Sequence, residues 1–253
     1  MTRLLVLFGV LLTLSRFARA DVLIVADEFP AMEVVAAKLK AEEQIASTLI
    51  SQKDLPTSLS PYQAIIVYIH RDLSEKAEDA FIDYAKQGGR LILLHHSISS
   101  GKRKNPHWFP FLGVSLPEGD LNHGGYKWIE GVTIQCVNLN PNHFITTNKV
   151  EYPQNIQYTT TNTPVHRSAL PGFTREHSEA YLNHVHTSPH TLLLGLKYTD
   201  ATSGKIYMQD TAGWLKRADK GWVVYLMPGH TKQDFEDPAY SRIVINAVIW
   251  KAP

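Results

Sequence analysis

Histidine stands out in this chain: twelve imidazoles against a single cysteine, Cys136, in 253 residues. One thiol makes no internal disulfide and no thiolate metal cluster. Cys136 lies in Val132-Thr-Ile-Gln-Cys-Val137 and reads as a small hydrophobe in a strand. Any proton transfer or metal binding therefore falls to His, Asp and Glu. These residues recur in one kind of place. Asp27 and Glu28 follow the apolar run Val22 to Ala26, and His70 follows Ala64 to Tyr68. His95-His96-Ser97 follows Arg90 to Leu94, and His230 follows Gly221 to Met227. Open parallel sheets bind ligands beyond the carboxyl ends of their strands, so these groups are expected to converge. His95 and His230 are the expected centre, with Asp27, His70 and His96 on the substrate-binding side.

The elements that must carry them follow from periodicity. Short continuous apolar runs bounded by polar residues are the pattern of buried parallel strands. Between them, Ala31 to about Glu43 and the stretch after Ser74 show the three–four spacing of amphipathic helices. Ser74 is placed as an N-cap, and Gly88-Gly89 as the stop. Ala46 to Ile50, Thr191 to Leu196 and the stretch around Ile134 are further strands, and Pro238 to Trp250 is a closing helix begun by proline. Alternating strands and helices with short loops predict an α/β fold: a flavodoxin-like open, mostly parallel sheet with helices on both faces. The middle, from Ser97 to about Asn183, is irregular. Lys149 to Thr174 within it is expected to act as a specificity-setting lid. Lys102-Arg-Lys104 reads as a solvated loop, and two of His184, His186 and His190 are expected to be exposed.

Composition limits the partners. Lys plus Arg total 25 against 24 Asp plus Glu. That balance excludes a nucleic-acid binder driven by bulk charge. Residues 1–20 read as a signal peptide: a basic start, an almost wholly apolar stretch from Leu4 to Leu14, then Ala18-Arg19-Ala20. The apolar stretch is too short for a membrane span, which needs about 20 residues. The expectation is an exported protein, periplasmic or secreted, with one domain over 21–253, a soluble small-molecule partner, and no membrane association after cleavage. Without Arg3, Arg16 and Arg19 the chain carries 22 basic and 24 acidic residues, a charge of −2.

Several segments carry a family resemblance. They are Ala212-Gly-Trp-Leu-Lys216, Lys220 to His230, Asp237-Pro-Ala-Tyr240 and Ile245 to Trp250, joined by Gly88 to Ser97 and by Glu179-Ala-Tyr181. Together they resemble the trehalose-utilisation (ThuA-like) family, whose fold is similar to class I glutamine amidotransferases. Asn140 to Thr146 is similar to a further family segment containing His143. The amidotransferases place a nucleophilic Cys after the central strand, where this chain has His95-His96-Ser97, so glutaminase chemistry is not expected. Ser97 with His230 as base would be a serine nucleophile pair, but it lacks the small flanking residues of a nucleophile elbow.

The resemblance implies carbohydrate chemistry on disaccharides oxidised at the 3-position. A 3-keto group acidifies the C2 proton, so the glycosidic bond can break by proton abstraction and elimination. It further implies catalytic roles for His95, His230, Glu179 and Tyr181, and a divalent metal, zinc or manganese, on His95, His123, His230 and Glu179. Trp214 is placed as a sugar-binding aromatic. No nucleotide cofactor is expected. The expected activity is that of a lyase or hydrolase of 3-keto glycosides. The alternatives are a carbohydrate-binding protein without turnover and a scaffold domain. The histidines favour catalysis, because plain sugar recognition relies more on carboxylates, amides and aromatics.

Overall fold

The computed structural model describes residues 22–159 and 168–252. The signal peptide expected over 1–20 lies outside these residues, as does the 160–167 part of the expected lid. The chain runs β1 (Val22–Ala26), α1 (Phe29–Glu43), β2 (Ser47–Ile50), β3 (Ala64–Tyr68), α2 (Glu75–Lys86) and β4 (Arg90–Leu94). Then come α3 (Trp108–Leu112), β5 (Val114–Ser115), β6 (Lys127–Asn138), α4 (Phe144–Thr147), β7 (Gln154–Tyr158), β8 (Ser168–Leu182) and β9 (Val185–His186). It ends with β10 (Thr191–Thr199), β11 (Ile206–Ala218), β12 (Gly221–Leu226), α5 (Lys232–Glu236) and α6 (Pro238–Ile249). Among the described residues, no helix is long and apolar enough to cross a membrane.

Among the described residues, ten strands form one sheet in the order β2-β1-β3-β4-β12-β11-β10-β6-β8-β7. The first five are parallel, as their continuous apolar runs require, and take the flavodoxin order. Strand order runs outward from β1 to β2 but inward from β3 to β4. Right-handed crossovers therefore put α1 and α2 on opposite faces. α1 packs with α5 and α6, while α2 packs with α3. Ser74 caps α2 as its sequence predicts, its Oγ accepting the N–H of Ala77 at 3.3 Å. Gly221 lets β12 start against the end of α2: a Cβ there would lie 2.2 Å from the Gly89 carbonyl oxygen.

The other five strands continue the sheet antiparallel, which the irregular middle of the sequence did not announce. Register shifts interrupt the β10–β11 and β6–β8 pairings. Such bulges break the two-residue alternation by which a half-exposed strand is recognised, and they also bend the sheet. In the segment from Lys149 to Thr174, the described strands are β7 and the start of β8, paired with each other at the sheet edge.

Bending has a direct consequence for position. In sheet order β8 lies four strands beyond β12, about 19 Å away in a flat sheet. Yet Glu179 of β8 touches His230, just past β12, at 3.2 Å. The antiparallel half therefore curls back over the carboxyl end of the parallel half. Arg175 fastens it there: its Nε donates to Asp234 at 2.9 Å and its Nη1 to Asp237 at 3.2 Å, tying β8 to α5 and α6.

Candidate active site

The centre of the site is the turn after β4. His95 has a left-handed backbone, φ 45°, which is strained for a residue with a Cβ and costs of order 1–3 kcal/mol. Surrounding bonds hold it. Tyr225 donates its hydroxyl to the His95 carbonyl at 3.1 Å, and Trp108 its indole N–H to the Ser97 carbonyl at 2.8 Å. Ser97 is buried and donates its Oγ to the Val67 carbonyl at 2.9 Å. It closes the turn and is not available as a nucleophile. Cys136 is buried in β6 as expected, and burial pushes its thiol pKa up.

Three imidazoles converge on one carboxylate oxygen. Glu179 Oε2 lies 2.8 Å from His95 Nε2, 3.3 Å from His96 Nε2 and 3.2 Å from His230 Nδ1. Burial would raise the Glu179 carboxyl, but hydrogen bonds from His230 and His95 outweigh it and hold the pKa at about 2. The bond with Glu179 is the main reason the His230 pKa is raised. His96 goes the other way: burial, then the neighbouring His95, His70 and His230, keeps it neutral. Tyr181 stacks on the His95 ring, with centroids 4.9 Å apart, and its hydroxyl is 3.4 Å from His95 Nε2. Burial holds that hydroxyl protonated.

The donor set fits a metal ion. His95 Nδ1 lies 2.6 Å from the Met227 carbonyl, which only accepts, so Nδ1 carries a proton. Its Nε2 faces the Glu179 carboxylate oxygen at 2.8 Å, a separation that a second ring proton or a bound cation would bridge. The Met227 carbonyl is also the outer partner that fixes a ligating imidazole. His95, His96, Glu179 and His230 present ligand atoms all within 4.8 Å of one another and could hold a metal ion. Nitrogen and carboxylate donors of this kind suit zinc or manganese.

One flank of the site is a clamped loop. Asp27 accepts the backbone N–H groups of His70 and Arg71, both at 2.8 Å, while the buried Lys102 donates to the carbonyls of Ile69, His70 and Arg71 at 2.8, 3.0 and 2.6 Å. An anion thus holds the loop's donors and a cation its acceptors, and the His70 ring rests 3.9 Å from His96. Lys102 is therefore no solvated side chain; burial lowers its pKa to about 8. Burial opposes the charge of Asp27, but the His70 ring and the two backbone donors pull its pKa to about 2, from an ordinary 3.8. Asp27→Asn is expected to destabilise the protein by about 1 kcal/mol at pH 7, less than the shift alone implies because solvent screens this exposed carboxylate. The sign follows from the lowered pKa: the contribution is full above about pH 4 and is lost as pH falls through about 2. Urea unfolding of both proteins from pH 7 down to pH 2 checks this, and a gap that does not close in acid would refute it.

Of the residues singled out from sequence, His95, His96, His230, Glu179, Tyr181, His70 and Asp27 are brought together. His123 is not. It lies on an exposed turn, its side chain 87% accessible, beside Asp120, and His96 stands in the cluster where His123 was expected. Trp214 is fully buried, packed on Tyr225 and His190, and is core rather than a sugar platform. His143 caps α4 and packs against Trp250. None of His184, His186 and His190 is exposed; His184 is buried against Tyr126 and Tyr181. Sequence reasoning passed over Lys102, whose basic neighbours disguise it, and Trp128, which no local pattern marks.

The fold is shared with solved structures. A ThuA-like protein from Parabacteroides merdae superposes with a TM-score of 0.61 at 14% identity, covering 92% of this chain and 89% of that one. A ThuA-like protein from Bacteroides uniformis does so with 0.58 at 16%, covering 90% and 89%. A β-galactosidase from Rahnella sp. R3 matches with 0.51 at 13%, over 89% of this chain but 30% of its own. At these identities the likeness concerns the fold alone. Comparison with the curated proteins gives no match. The profile of one family, ThuA, described as trehalose utilisation, matches residues 21–251, and the chain belongs to that family.

Proposed function

We propose that this protein is an exported carbohydrate-processing enzyme that cleaves 3-keto glycosides by proton abstraction and elimination. The observation that carries the reading is the convergence of three imidazole nitrogens, within 3.3 Å, on one buried carboxylate oxygen. It lies at the strand ends where such sheets bind ligands, and the family's connection with trehalose utilisation supports a sugar substrate.

His230, with 24% of its side chain accessible, is the most open member of the cluster, followed by His96 at 15%. His230 Nδ1 donates to Glu179, which leaves Nε2 as the base, oriented and made more basic by the carboxylate. Nε2 takes the C2 proton, and the C2 electron pair forms the C1–C2 double bond as the C1–O bond breaks. The same nitrogen then returns its proton to the departing oxygen, so the step balances without a co-reactant. Addition of water to the unsaturated sugar would complete hydrolysis. His95, His96 and Glu179 would hold a divalent cation, zinc or manganese. When bound, such a cation supplies Lewis-acid stabilisation of the oxygen at C3 as the enolate forms. Tyr181 holds the His95 ring in place from behind.

The test is nuclear magnetic resonance of 3-keto glycosides with the protein in heavy water, alongside their unoxidised parents. Deuterium should enter at C2 and cleavage should occur for the keto sugars only. Cleavage of the parents at equal rates without exchange would overturn elimination.

A further inference from the structure

The sugar platform that Trp214 does not provide has a better candidate one strand away from Tyr181. β6 pairs with β8 in a register that sets Trp128 directly opposite Tyr181 and Glu130 directly opposite Glu179. Residues directly opposite in an antiparallel pair share a face, with Cβ atoms about 5 Å apart. Tyr126, Trp128 and Glu130 therefore line the same face as the two site residues of β8. The contact of the Tyr126 ring with the Tyr181 ring, at 6.0 Å, bears this out. Tyr126 is buried, whereas Trp128 is 45% exposed. Of the other four tryptophans, Trp108, Trp214 and Trp250 are buried and Trp222 is half-buried against Trp250. Glu130 is exposed and close enough to His230 for its charge to be felt there. After Glu130, Gly131 takes a left-handed φ of 68°, and the pairing shifts register. This is the bulge by which a strand re-aims its side chains.

We propose that Trp128 and Glu130 form a second sugar subsite beside the His/Glu cluster, which makes disaccharide or longer 3-keto glycosides the substrate class. The inference rests on the function proposed above and deepens it. The indole face packs against the apolar C–H face of a pyranose, and the Glu130 carboxylate accepts from its hydroxyls. Trp128 stands across from Tyr181, one strand (about 5 Å) beyond the β8 residues that meet His95. It therefore holds the ring next to the one being cleaved rather than the reacting ring itself.

The experiment compares a 3-keto disaccharide with a methyl 3-keto glycoside on the wild-type protein, Trp128→Ala and Trp128→Phe. Tryptophan emission is followed during titration with the unoxidised disaccharide. Trp128→Ala should raise KM for the disaccharide about tenfold with kcat little changed, leave the methyl glycoside unaffected, and abolish the emission change. Trp128→Phe should keep most of the affinity. Equal KM for the disaccharide in wild type and Trp128→Ala would overturn the subsite while leaving the cleavage reaction standing. Should Trp128→Ala fail to fold, an unchanged disaccharide KM in Glu130→Gln together with an unquenched wild type would overturn it instead. Disaccharide quenching without turnover of any keto glycoside would remove the proposed reaction and support the subsite. Neither quenching nor turnover would remove both.

Discussion

Glu179→Gln is expected to lower kcat/KM on a 3-keto glycoside by about a thousandfold, within the range by which positioned acid–base groups accelerate reactions. The substitution keeps the volume and one carbonyl acceptor but removes the charge on which His95, His96 and His230 converge. Three consequences reinforce one another. His230 loses the charged acceptor that raises its pKa and holds its ring, keeping at most a weaker bond to the amide oxygen. His95 Nε2, which faces the carboxylate at 2.8 Å, meets an amide instead. The donor set that could hold a divalent cation loses its one anionic member. Steady-state kinetics give the first readout. Elemental analysis and calorimetric add-back of zinc and manganese after chelation give the second, with weaker metal binding expected in the variant. Activity within tenfold of wild type would show that the cluster is not the catalytic centre.

Trp214→Ala is expected to destabilise the protein by about 3–5 kcal/mol, the usual cost of deleting a large buried aromatic side chain. The indole is 0% exposed and packs at 5.4 Å from Tyr225 and 4.5 Å from His190. Tyr225 in turn supports the strained His95 turn through its hydroxyl, so some activity should be lost through a loosened site. Equilibrium urea unfolding, with sugar affinity measured well below the transition, separates the two effects. Unchanged stability with lost sugar affinity would restore the platform role to Trp214. The contrast with Trp128 is sharp: removing one indole should cost stability, and removing the other should cost KM.

The parallel half of the fold was legible because its signals are local. Val22 to Ala26, Ala64 to Tyr68 and Arg90 to Leu94 are buried on both faces and read as unbroken apolar runs. Ser74 and Gly88 mark the helix between the second and third of these strands by backbone requirements that act within a few residues. A general property of parallel sheets then carried the inference from strand ends to a site, which brought His70, His95, His96 and His230 together before any coordinate was known. Glu179 and Tyr181 came by resemblance instead. β8 carries Pro171, Gly172 and the charged stretch from Arg175 to Glu179, and its pairing is interrupted, so no clean period marks it as a strand.

The sequence by itself thus determined the parallel α/β sheet, the strand ends that bear imidazoles, and the use of His and carboxylate chemistry in place of a thiol. Each of these depends on residue types within a short window. Tertiary structure alone decided that His96 rather than His123 joins the cluster, that Lys102 is buried as a loop clamp, and that Trp128 faces outward while Trp214 faces the core. Those outcomes turn on strand register and sheet curvature. A shift of one residue sends a side chain to the opposite face, and a bulge redirects a whole arm. Both are set by partners far away in the chain, such as Arg175 on Asp234 and Glu179 on His95, whose mutual approach no local pattern records.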